Sequence, residues 1–115
     1  AAIDVLADMQ GNTFLVLGDM AELGEHAEKL HSEIGRKAKD AGIINLYATG
    51  KLSLNTVESF GENGFYFENK SDLIDALKAD LTADAVVLIK GSRSAAMEEV
   101  VEWILTHKNN NKRVN

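Results

Sequence analysis

The sequence holds 115 residues, contains no cysteine and carries a formal charge of −6 with a pI near 5.0. That length fits one domain able to bury most of its apolar surface, and the lack of cysteine excludes disulfides and thiolate metal sites. The acidic balance argues against a nucleic-acid binder that works by neutralising phosphates, so small molecules or proteins are the expected partners.

No apolar run approaches the ~20 residues needed to span a bilayer, and the first residues lack the basic-then-apolar order of a signal segment. The chain opens at Ala1 already in helical pattern, with Ile3 and Leu6, extended by Met9, on one face and nothing capping the start. This predicts a domain that belongs to a longer chain. Thr13 to Leu17 is a short apolar run rich in strand formers, and it stops at Gly18; it reads as a buried strand. An acidic loop with Asp19 and Glu22 follows, closed by Gly24.

Glu25 to Ala41 spaces Ala27, Leu30, Ile34, Ala38 and Ala41 by three or four with charges between, an amphipathic helix that Gly42 terminates. Ile43 to Thr49 reads as a second strand, Lys51 to Phe60 as a shorter helix with Leu54 and Val57 inward, and Phe65 to Phe67 as a brief strand near a sheet edge. Asn69 and Ser71 are candidate caps for a helix whose inner face is Leu73, Ile74, Leu77 and Leu81. The unbroken run Ala85 to Ile89 suits a strand covered on both faces. After Lys90 to Ser94 comes a last helix with Met97, Val100, Val101, Ile104 and Leu105 on one side and Trp103 off it. Residues 108–115 carry no apolar pattern and are predicted to be a disordered tail behind a domain of residues 1–107.

Strands alternate with helices throughout, which predicts an α/β fold: a Rossmann-like open sheet, mainly parallel, with helices on both faces. Right-handed crossovers, with the first and fourth strands central, predict the order 3-2-1-4. The loops Gly18 to Gly24 and Lys90 to Ser94 then flank one crevice at the carboxyl edge of the sheet, where open sheets of this class bind ligands.

Two stretches carry candidate chemistry. Lys90-Gly91-Ser92-Arg93-Ser94 combines two cations, two hydroxyls and a glycine ahead of a helix, whose free N–H groups would attract a carboxylate or phosphate. The plainer alternative is a capped turn with solvated cations. Asp19 and Glu22 could hold a metal, orient an ammonium group or pair with Lys90 or Arg93; equally, acids ahead of a helix complement its dipole. His26 and His31 lie five apart, wrong for a helical metal pair, and read as surface residues. Gly50-Lys51-Leu52-Ser53 looks like the end of a phosphate loop, but Asn45 stands where its first glycine belongs, so no ATP site is expected there.

At LGDMAELGEH and KGSRSAAMEEVV, with AAIDVLADM ahead and GKLS between, the chain resembles the C-terminal domain of a bacterial Mur ligase. The resemblance runs to about Ile104 and is to the member that adds D-alanyl-D-alanine to UDP-N-acetylmuramoyl-tripeptide. It implies a three-domain cytoplasmic enzyme of peptidoglycan precursor synthesis, serving cell-wall biogenesis, cell shape and division. ATP and Mg would be bound mainly by a central domain outside this chain, which this domain would contact, and the chain alone would be inactive. The residues implied to face the substrate are Asp19, Met20, Glu22, Lys90, Gly91, Ser92, Arg93 and Ser94, with cations and helix N–H groups on the dipeptide carboxylate. No catalytic residue and no metal ligand is expected within this stretch.

Two other classes share parts of the pattern. A receiver-like signalling domain also has a parallel sheet with acids at strand ends, but needs an acceptor aspartate where this chain has Glu68. A pure interaction module would bind no ligand at either loop.

Overall fold

The computed structural model describes residues 2–21 and 24–114, with side chains described to residue 106. Helix α1 (Ala2–Ala7) is followed by strand β1 (Asn12–Leu17), a single 3-10 turn (Gly24–His26) and helix α2 (Ala27–Ala41). Then come β2 (Asn45–Thr49), α3 (Ser53–Phe60), β3 (Gly64–Phe67), α4 (Lys70–Asp80), β4 (Ala85–Lys90), a second 3-10 turn (Arg93–Ala95) and α5 (Glu98–Val114). The four strands form one sheet in the order β3-β2-β1-β4, every neighbouring pair parallel. The sheet order and class are those the apolar runs predict.

Side-chain alternation along β1 splits the core. Leu15 of β1 and Leu46 of β2 pack with Ile3, Leu6, Ala38, Ile43 and Phe60 beneath α1, α2 and α3. Phe14, Val16 and Tyr47 point the other way, onto Leu73 and Leu77 of α4, Met97 just ahead of α5 and Val100 within it. With residues 13–17 all buried, β1 is the most fully covered strand of the sheet. The fourth strand takes the edge place that the order 3-2-1-4 gives it, not the central one its apolar run suggests, and is half-buried along its whole length. Its apolar run reflects contact with helices on both faces, since Val86 and Leu88 join one core cluster and Val87 and Ile89 the other.

Helix faces also differ in detail from the apolar periodicity. The inner face of α2 is His31, Gly35 and Ala38, while Leu30 is exposed. In α3 the buried residues are Ser53, Thr56 and Phe60, Val57 is half-buried and Leu54 is exposed. The cause is close approach of α2 and α3 at Gly35. Thr56 Oγ1 donates to the His31 carbonyl at 2.8 Å and Ser59 Oγ to the Ser32 carbonyl at 2.7 Å. Buried hydroxyls are tolerated because each finds a backbone acceptor.

A methyl group at Gly35 would collide with the Thr56 carbonyl and Ser59 Oγ. Gly35→Ala gains about 1 kcal/mol of helix propensity but overpacks a contact with backbone, a cost of roughly 1–3 kcal/mol or somewhat more. We expect a net loss near 2 kcal/mol, read as a melting temperature lower by several degrees. A mutant that melts higher than wild type would show that the two helices are not held at contact distance.

The Asn69 side chain caps α4 by accepting from the Asp72 N–H at 2.9 Å, and Leu73 and Leu77 below it are buried. Tyr47 donates its hydroxyl to the Asp80 carboxylate at the far end of that helix. Burial first, then the Asp80 hydrogen bond and charge, push the Tyr47 phenol well above its ordinary range, so it stays a donor. Trp103 packs against the α4 side of the core, with Lys78 over its ring at 6.0 Å, rather than standing apart from it. Helix α5 runs to Val114, through the stretch that the sequence pattern reads as a disordered tail. That stretch has neither Gly nor Pro to break a helix once begun. Among the described residues no helix is long and apolar enough to cross a membrane.

Candidate functional site

The site begins where β1 ends. The Gly18 N–H donates to the Lys90 carbonyl at 2.8 Å, carrying the parallel ladder one residue past the strand. Asp19, next in the chain, then joins three loops. Its carboxylate accepts from the Leu52 N–H at 3.1 Å, the Ser53 N–H at 2.9 Å and Ser53 Oγ at 2.8 Å. Leu52 is the N-cap of α3 and has no capping side chain, so that helix takes its cap from Asp19, across 33 residues of sequence. The Asp19 carbonyl accepts from the Ser92 N–H at 3.0 Å and Ser92 Oγ at 2.9 Å.

This arrangement gives Asp19 a partner that none of the sequence alternatives names, the N-terminus of α3. The carboxylate faces the first turn of α3 and forms no ion pair with Lys90 or Arg93. It also fills the place where a phosphate would have to sit at Gly50-Lys51-Leu52-Ser53, since the two N–H groups a phosphate would use are already donated to it. A phosphate therefore does not fit this loop.

Between β1 and β4, where the sheet reverses its strand order, the crevice is filled by Met97. A Cβ on Gly18 would lie 2.7 Å from Met97 Sδ, and one on Gly91 2.8 Å from Met97 Cγ. Both glycines are needed for that thioether to enter. The chain beyond Gly91 differs from the sequence expectation. Arg93–Ala95 form a 3-10 turn, Ala96 takes a left-handed conformation with φ 51°, and α5 starts only at Glu98. Lys70 holds the break by donating to the Ala96 carbonyl at 3.2 Å and pairing with Glu99. The start of α5 thus carries Glu98 and Glu99 in its first turn, which already complement its dipole. Its N–H groups do not open at Lys90 to Ser94.

What remains at that loop is side-chain charge. Lys90 is half-buried at the strand end, while Arg93 is exposed, and among the described residues neither has an ion-pair partner. Gly91 and Ser94 are exposed, and Ser92 Oγ lies 2.9 Å from Ser94 Oγ. Met20 is half-buried beside Asp19. Glu22, the other acid expected here, lies outside the described residues.

Two contributors escape sequence reading. His26 is exposed as expected, but His31 is fully buried. Its Nδ1 lies 2.8 Å from the Ala27 carbonyl and its Nε2 accepts from the Met20 N–H at 3.1 Å. Tyr66 of β3 pairs in register with Ala48 and reaches the same edge: burial first, then the charges of Glu68 and Asp19, push its phenol above the ordinary range. For His31 the trace in the sequence is an apolar helical stripe interrupted by histidine; Tyr66 leaves none. Among the described residues no group of three or more His, Cys, Asp or Glu side chains could hold a metal ion.

The family profile described as "Mur ligase, glutamate ligase domain" matches residues 1–93. The UDP-N-acetylmuramoyl-tripeptide–D-alanyl-D-alanine ligase of Escherichia coli K12 is 48% identical over 105 residues, covering 88% of this chain and 23% of that protein. The ligase of the same name from a Buchnera aphidicola strain is 41% identical, covering 91% of this chain and 23% of its own length. Among solved structures, MurF from Acinetobacter baumannii superposes with a TM-score of 0.76 at 25% identity, covering 89% of this chain and 23% of that one. MurF ligase from Thermotoga maritima in complex with ADP gives 0.72 at 25% identity, covering 88% and 23%. The chain spans just under a quarter of the length of the curated relatives it matches.

Proposed function

Because the chain belongs to the Mur ligase, glutamate ligase domain family, we propose that residues 1–107 serve as the C-terminal domain of an ATP-dependent ligase. That enzyme joins D-alanyl-D-alanine to UDP-N-acetylmuramoyl-tripeptide, a cytoplasmic step of peptidoglycan precursor synthesis. The supporting relatives carry that reaction in their names. ATP and its Mg would sit on a central domain in contact with this one, supplying an activated peptide carboxyl for the dipeptide amine to attack. This chain's own residues bind and orient the amine's carrier.

The observation that carries the reading is the convergence at Asp19. It brings the 18–21, 50–53 and 90–94 loops to one sheet edge and leaves the Lys90 and Arg93 cations without internal partners among the described residues. A dipeptide carboxylate is a suitable counter-charge, held by side chains and not by helix N–H groups. Met20, Gly91, Ser92 and Ser94 form the surrounding backbone and hydroxyls, with Asp19 holding the loops in place; Glu22 is proposed here on sequence alone. Positioning of this kind lowers a barrier because it makes the attack effectively intramolecular, an effect worth up to ~7–11 kcal/mol in well-aligned systems.

The test is reconstitution. The full-length protein, given ATP, UDP-N-acetylmuramoyl-tripeptide and labelled D-alanyl-D-alanine, should transfer label to the nucleotide-linked product with one ADP released per bond. Failure to transfer, with the protein folded, would overturn the ligase reading.

A further inference from the structure

We propose that His31 is a positioning residue of the dipeptide site, its neutral imidazole fixing the Asp19–Met20 turn from beneath. This rests on the ligase reading above and assigns a task to a buried titratable group that the reading does not use. His31 is 0% exposed on the inner face of α2. Both ring nitrogens meet backbone groups of fixed polarity. The Ala27 carbonyl can only accept, so Nδ1 carries the proton and donates at 2.8 Å; the Met20 N–H can only donate, so Nε2 presents its lone pair at 3.1 Å. One tautomer of the neutral ring satisfies both, and neither the other tautomer nor the imidazolium does.

The position of Met20 gives the contact its consequence. Asp19, one residue earlier, is anchored toward α3 by its carboxylate and toward Ser92 by its carbonyl. His31 supplies the remaining anchor, toward α2. Release of the Met20 N–H would leave a half-buried donor unsatisfied and free one side of the residue on which Ser92, and so the Arg93 turn, is hung. Metal binding does not explain the histidine, because no group of metal-binding side chains gathers around it among the described residues. A histidine that only fills core space would not need the Nε2 bond.

Two amide variants separate these cases. Asparagine can keep the donor to the Ala27 carbonyl but cannot reach Met20, whereas glutamine can place its amide oxygen where Nε2 stands. In the full-length protein, His31→Asn should raise the KM for D-alanyl-D-alanine about tenfold, with His31→Gln within about threefold of wild type, as expected for loss or retention of one buried acceptor. The KM values for ATP and the UDP-tripeptide should stay unchanged. Equal dipeptide KM for the two variants, or a loss shared by all three substrates, would overturn the proposal. A second measurement needs neither folding of a variant nor activity: ring-nitrogen NMR of the wild-type protein at neutral pH should show His31 protonated at Nδ1 alone. The Nε2-protonated tautomer or an imidazolium would equally overturn it. A wild-type protein that ignores the dipeptide would overturn the ligase reading, while the tautomer result judges the clamp separately.

Discussion

Replacing Asp19 with alanine should lower the stability of this chain by about 3 kcal/mol, because it removes a charge-assisted cap and strands two helix N–H groups, each such loss being worth ~1–3 kcal/mol. The carboxylate accepts from Leu52, Ser53 and the Ser53 hydroxyl, and among the described residues no other side chain caps that end of α3. For a domain of this size the melting temperature should fall by roughly 10 °C. Asp19→Asn keeps one acceptor oxygen and should fall about half as far. The contrast to watch is with a direct substrate role. If Asp19 touched only the dipeptide, both variants would melt like wild type and differ from it in kinetics alone. Thermal melts of the two variants decide the matter before any assay is run.

Arg93→Ala should behave in the opposite way. Its side chain is exposed and has no ion-pair partner among the described residues, so the melting temperature should not move. On the proposed ligase function, loss of a charge-assisted hydrogen bond to the dipeptide carboxylate, worth ~1.5–3 kcal/mol, should lower the full-length protein's kcat/KM for D-alanyl-D-alanine by roughly 10- to 150-fold. Usage of ATP and of the UDP-tripeptide should be spared. The break before α5 sharpens this expectation, because it displaces the helix start to Glu98 and makes its first turn acidic, away from the Lys90 to Ser94 loop. Lys90→Ala should show the same selectivity with a small loss of stability, because Lys90 is half-buried at the strand end. Dipeptide kinetics that match wild type in a well-folded Arg93 variant would remove that residue from the carboxylate site.

The sequence by itself determined the class, the element order and the strand order. Each of these follows from where apolar runs start and stop, a property of neighbouring residues; the glycines at 18, 42 and 61 mark the boundaries. The two loops of the candidate site were legible for the same reason, since each follows directly from a strand end, and their motifs also carried the family resemblance. Tertiary structure decided the polar partners. Nothing near Asp19 in sequence indicates that its carboxylate caps a helix starting at Ser53 or that its carbonyl holds Ser92, 73 residues further on. Periodicity likewise placed Leu54 inside α3, but close contact at Gly35 turned Ser53 and Thr56 inward, because hydroxyls can be buried once α2 carbonyls and the Asp19 carboxylate accept from them. His31 went from an expected surface residue to a fully buried one through the same packing, its two nitrogens satisfied by backbone groups that only the folded chain brings within reach. Burial of apolar surface is non-directional and can be read from composition along the chain, whereas a hydrogen bond requires its partner at a set distance and angle, and that partner is supplied by the fold.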